Sequence, residues 1–130
     1  MLTFLAMKID SKEGSIKRER LFENISIHVI ISNDGQTYVT GEEIAACFEN
    51  WNRGNETLKR LLDIKSFHPK TCLLRRHSPL FERAMQKKVA GFIETNCVTV
   101  YTLKDFPVIL GLFKRQDDPL LVSAKKLAQK

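Results

Sequence analysis

Apolar residues in this chain fall in short patterned runs, and the patterns predict its elements. Ile25 to Ile31 is β-branched and reads as a strand. Asn33-Asp34-Gly35 is a turn signal, and Gln36 to Val39 reads as the returning strand of a hairpin. Thr40 then begins a helix: with Glu43 three residues on, Thr-Gly-Glu-Glu has the form of a capping box. Ile44, Cys47 and Phe48 supply that helix's apolar face, and its end is expected near Asn50. Trp51-Asn52-Arg53-Gly54 is a break, after which Asn55 caps a short helix with Leu58, Leu61 and Leu62 inward and Lys59 and Arg60 outward.

The second half is patterned in the same way. Thr71 to Leu74 is a short strand or a loop. Ser78-Pro79 is a helix start, and Leu80, Phe81, Ala84, Met85 and Phe92 follow at helical spacing, with Gly91 marking the frayed end. Cys97 to Leu103 alternates valine and threonine and reads as a strand. Thr102 or Asp105 caps an apolar helix through Phe113 that tolerates Pro107 in its first turn. Asp118-Pro119 starts a last amphipathic helix, whose Leu120, Leu121, Ala124 and Leu127 face the core or a partner. The fold class expected is α+β: a small domain with an N-terminal β-hairpin, a helix-turn-helix-like pair and further helices. Residues 9–20, polar and charged around Gly14, read as an arm or linker. The expected division is therefore an N-terminal arm or strand plus charged linker over 1–20, and a single α+β domain over 21–130.

Composition narrows the class. At 130 residues, 43% hydrophobic and 28% charged, the chain is long enough for one hydrophobic core and too apolar to be disordered throughout. Its longest apolar runs are far short of a membrane span, and the opening Met1 to Met7 lacks the basic start and cleavage site of a signal peptide. Three cysteines cannot all pair within the chain, so the reading is of an intracellular, reduced protein. No phosphate-binding glycine loop, paired Cys-x-x-Cys or nucleophile elbow is present, and neither an enzyme nor a cofactor is expected. His68, Cys72 and His77 are the candidate metal ligands, with Cys47 or Cys97 as a fourth. They lack the closely spaced pairs of structural zinc sites, and no metal is expected.

Charge changes the picture most. The net charge is +6, and the excess is local. From Lys65 to Lys88 there are seven basic residues against one acid, Glu82; a second cluster is Lys17-Arg18-Glu19-Arg20. Such concentration attracts polyanions, chiefly nucleic acid or an acidic partner; a basic helix that only aids solubility has the same composition. The helix, turn and helix over 40–64 have the spacing of a helix-turn-helix, which an ordinary helical hairpin shares. On the nucleic-acid reading, Arg53, Lys59 and Arg60 act on this pair. Asn55 and Thr57 are base-edge or phosphate donors, and Lys70, Arg75, Arg76, Arg83, Lys87 and Lys88 track phosphates.

The order of elements resembles the Bro-N domain of large DNA viruses and phages, a relative of the KilA-N domain. The residues that carry the resemblance are Tyr38-Val39, Glu43-Ile44-Ala45-Ala46-Cys47-Phe48, and Asn55 to Leu61 with Lys59-Arg60. Val98 to Thr102 followed by Val108-Ile109-Leu110 is similar to the family's later strand and helix, and the likeness covers residues 25–113. The family's Gly-aromatic pair is Glu49-Asn50 here, and its Glu-x-Gly-Leu stretch is Lys104 to Pro107. The resemblance implies a viral or phage DNA-binding protein, in the host nucleus for a eukaryotic virus and otherwise in the cytoplasm. The full expectation is a non-enzymatic binder of double-stranded DNA, with DNA favoured over RNA. A homodimer through the carboxy-terminal helices is expected, because helix-turn-helix proteins commonly read two half-sites. The alternative is a viral structural or interaction module that oligomerises through those helices and binds an acidic partner.

Overall fold

The computed structural model describes residues 9–47, 67–89 and 91–129. Among these, five strands close into a barrel in the order β1-β2-β3-β5-β4: β1 (Ser11–Phe22), β2 (Ile25–Ser32), β3 (Thr37–Thr40), β4 (Lys70–Leu73) and β5 (Cys97–Thr102). Directions cannot alternate all the way round a ring of five. One neighbouring pair must be parallel, and it is β1 with β4, through Ser11↔Cys72 and Lys12↔Leu73. The other pairs are antiparallel. The class is α+β, with helical segments α1 (Gly41–Ala45), α2 (Pro79–Gln86), α3 (Phe92–Thr95), α4 (Asp105–Gly111) and α5 (Pro119–Ala128) among the described residues. None of these is long and apolar enough to cross a membrane.

Both faces of the sheet are covered. Val29, Val39 and Tyr101 lie in one cross-strand row and pack with Leu21, Ile27, Phe106, Leu110, Leu121 and Ala124, which joins the sheet to α4 and α5. Ile30, Tyr38, Cys72, Val98 and Val100 form the other cluster with Leu80, Ala84 and Phe92, and Ile16 packs against it. This second cluster draws on all five strands, which places it inside the barrel.

The hairpin, the strand at Cys97 and the helix starts follow the expected pattern. Ser78 Oγ accepts from Leu80 N at 3.1 Å, and Asp118 Oδ1 accepts from Leu120 N at 2.9 Å; each cap is followed by proline. Thr40 Oγ1 accepts from Glu43 N at 3.1 Å, but the Glu43 carboxylate turns away to His28 and Arg83 instead of completing the box.

Two expectations are corrected, and one open alternative is decided. The stretch expected as an arm or linker is largely β1, a strand of the barrel itself. Its buried positions include Ser11 and Glu13, so no hydrophobic alternation announces it. The helix expected to run from Pro79 to Phe92 stops at Gln86, because Lys88 and then Gly91 take left-handed backbone (φ 52° and 78°). The stripe Leu121, Ala124 and Leu127, offered to the core or a partner, is buried in the chain's own core with Leu120 packed against it. The second helix of the expected helix-turn-helix lies outside the described residues, with Arg53, Asn55, Thr57, Lys59 and Arg60.

Candidate nucleic-acid interface

The two basic clusters, far apart in sequence, meet where β1 runs alongside the loop after β4. Pairing of β1 with β2 sets Arg18 opposite His28 and Ile16 opposite Ile30 on one face of the ribbon. The loop after β4 stands beside this face, held by two bonds. Arg75 N donates to Glu13 Oε1 (3.1 Å), and Arg75 Nη1 donates to the Gly14 carbonyl (3.0 Å), across 61 residues of sequence. Between the walls is a cleft of about 460 Å³. Ser15, Ile16, Arg18 and His28 line it from the ribbon; Arg75, His77, Ser78 and Pro79 line it from the loop, and Glu13 also borders it. Two guanidinium groups and two imidazoles therefore share one concave site with a single carboxylate. That carboxylate already accepts from the Arg75 amide.

A second polar cluster holds the ribbon through the His28 side chain. Glu43 is buried, and its Oε1 accepts from Arg83 Nη1 at 2.5 Å and lies 3.2 Å from His28 Nδ1. Arg83 Nη2 is 3.4 Å from the same His28 nitrogen. A buried carboxylate needs such partners to stay ionised. The cluster ties α2, α1 and β2 together, and a His28 ring held through Nδ1 has only Nε2 left to serve the cleft.

These contacts divide the residues expected to track phosphates. Arg75 lines the cleft, and Arg76, exposed, follows it in the chain. Arg83 is drawn into the Glu43 ion pair and does not line the cleft. Lys70 is exposed on β4, and its charge helps to hold the Asp34 carboxyl below its usual range, after the larger effects of hydrogen bonds from Ser32 and Gln36 N. Lys87 and Lys88 follow the carboxy end of α2, about 12 Å along the helix from its start at the cleft. Of the six residues expected to track phosphates, Arg75 alone lines the cleft.

Arg18 and His28 were missed as site residues. Arg18 belongs to the second basic cluster, which was legible. His28 shows in sequence only as a polar position within the β-branched run of β2.

The proposed metal ligands are separated by burial. Cys72 is fully buried inside the barrel, whereas His68 and His77 are exposed. No group of three His, Cys, Asp or Glu side chains suited to a metal comes together among the described residues. Burial also pushes the Cys47 thiol up to about 11 and raises Cys72 and Cys97. No protein-family model matches the chain, and neither a curated protein nor a solved structure is significantly similar to it.

Proposed function

We propose that this chain is a non-enzymatic nucleic-acid-binding module that holds phosphates between the β1–β2 ribbon and the loop after β4. The observation that carries the reading is the convergence of Arg18 and Arg75, from two separate basic clusters, on one cleft. Arg20 lies two residues beyond Arg18 on β1 and is exposed, as is Arg76 beside Arg75, so the positive surface extends past the cleft at both sides. Guanidinium groups suit phosphates because their fork of N–H donors matches two oxygens. Burial, which raises the pKa of Cys47, Cys72 and Cys97, argues against a thiol nucleophile in this chain. A cysteine whose thiol is held neutral by burial is a poor nucleophile at neutral pH.

The test is a fluorescence titration with a labelled oligonucleotide at several salt concentrations, with an acidic protein as control. Neutralising about five phosphates gives a slope of log affinity against log salt of roughly −4 to −5 for a duplex, and about −3 to −4 for a single strand. Absence of binding at low salt, a slope near zero, or equal binding of the acidic protein overturns the reading.

A further inference from the structure

We infer that the cleft takes a single nucleic-acid strand in preference to a duplex, an inference that rests on the nucleic-acid reading above and specifies its ligand. The argument begins with shape. A duplex is convex, and proteins read it with elements that protrude, a helix or ribbon entering a major groove of about 12 Å. Here the charged ribbon face does not stand clear. The loop from Arg75 to Pro79 rises beside it, and the space between has the volume of a ligand site, about 460 Å³. A backbone with its bases splayed out can enter such a space. A stacked pair of strands cannot follow it in.

The lining fits the same ligand. Arg18 lines the cleft from the ribbon and Arg75 from the loop, its Nη1 bonded to the Gly14 carbonyl, so one passing chain meets two guanidinium groups. Ile16 and Pro79 add apolar surface, and the exposed His77 adds a flat ring. Base faces, stacked on one another in a duplex, are free in a single strand to pack on such groups. Both walls are also held in place before any ligand arrives. The ribbon is backed by Leu21, Ile27 and Val29 in the core, and the loop by the Arg75 bonds to Glu13 and Gly14. Binding to a preformed cleft requires little ordering of the protein. The recognising chemistry is a phosphodiester strand with accessible bases, which both RNA and DNA present.

The experiment compares three labelled probes by fluorescence anisotropy: oligothymidylate and oligouridylate of about 15 nucleotides, within known single-strand footprints, and a blunt duplex of equal length. The expected result is that single strands bind about tenfold or more tightly than the duplex. Arg18→Ala combined with His77→Ala is expected to weaken single-strand binding by about tenfold or more while leaving the thermal transition in place, since both side chains are exposed. The tighter of the two single strands identifies the sugar. Duplex binding equal to or tighter than single-strand binding overturns this inference and leaves the nucleic-acid reading standing. Failure of all three probes removes both. Undiminished single-strand binding by the folded double variant overturns the assignment to this cleft.

Discussion

Cys47 shows how burial alone sets the chemistry of a side chain. Its sulfur donates to the Glu43 carbonyl at 3.5 Å, and desolvation, with a smaller push from the Glu43 charge, raises its pKa to about 11. The unfolded chain releases the same proton near 9. Because the folded value is the higher, this group's contribution to stability is fully present below pH 9 and is lost as pH rises towards 11. The loss amounts to about 2 to 3 kcal/mol. Chemical denaturation at pH 8 and at pH 10.5 should show the midpoint falling, with a smaller fall in Cys47→Ala. An equal fall in both proteins assigns the loss to other groups, such as Tyr101, whose pKa burial also raises. The sequence made Cys47 legible as a core residue, because it sits on the helical spacing with Ile44. It could not make Arg83 legible. The charge was visible, but its buried partner Glu43 lies 40 residues earlier, and only the folded chain brings the two side chains together.

At the scale of elements, β1 depends on a bulge. Register shifts between Glu13 and Ser15, and Gly14 occupies the shift so closely that a β-carbon there would meet the Ile31 carbonyl at 2.7 Å. Gly14→Ala should therefore lower stability by about 1 to 3 kcal/mol and, since Arg75 bonds to the Gly14 carbonyl, weaken oligonucleotide binding as well. Gly111→Ala is the control. Its nearest new neighbour is Leu121 at 3.9 Å, so thermal melts should show little loss or a small gain. Polar residues at buried positions explain why β1 escaped the pattern reading. A strand is recognised by alternation, and here inward positions are held by Ser11, whose Oγ donates to the Thr71 carbonyl (3.4 Å), and by Glu13, which accepts from Arg75 N. Polar groups satisfied across the barrel look, in sequence, like a solvated linker. The helix starts were legible because Ser78-Pro79 and Asp118-Pro119 act locally. The break after Gln86 was not, since nothing about Lys88 as a residue type announces a left-handed backbone.

At the scale of the molecule, α5 is a structural member of the domain. Leu121, Ala124 and Leu127 close the cluster that also holds α4 and the outer row of the sheet. A chain ending at Gln116 should lose its cooperative unfolding transition when followed by circular dichroism, because a core opened along one whole side exposes Phe106, Ile109 and Leu110 together. A truncated chain that still melts cooperatively would make α5 dispensable to the fold and return its apolar stripe to the list of contact surfaces.

The barrel's seam carries a consequence for how the chain reaches its native state. Four of its five junctions are antiparallel ladders, whereas β1 and β4 meet through two residue pairs, reinforced by Asp10 N to the Thr71 carbonyl (3.1 Å) and Thr71 N to Asp10 Oδ2 (2.9 Å). That junction joins positions 61 residues apart, much as the β3–β5 ladder joins Tyr38 to Thr102, but with fewer paired residues to offset the loop-closure entropy. The β1–β2 hairpin, made of neighbours, is expected to form before the seam, and pulse-labelled hydrogen exchange should protect Ile27 and Val29 before Thr71. Since the seam is what brings the Arg75 loop beside the Arg18 face, the cleft is completed only when the barrel shuts. A partly folded chain then has its positive charge in two separate places, and the proposed binding site arrives together with the final topology.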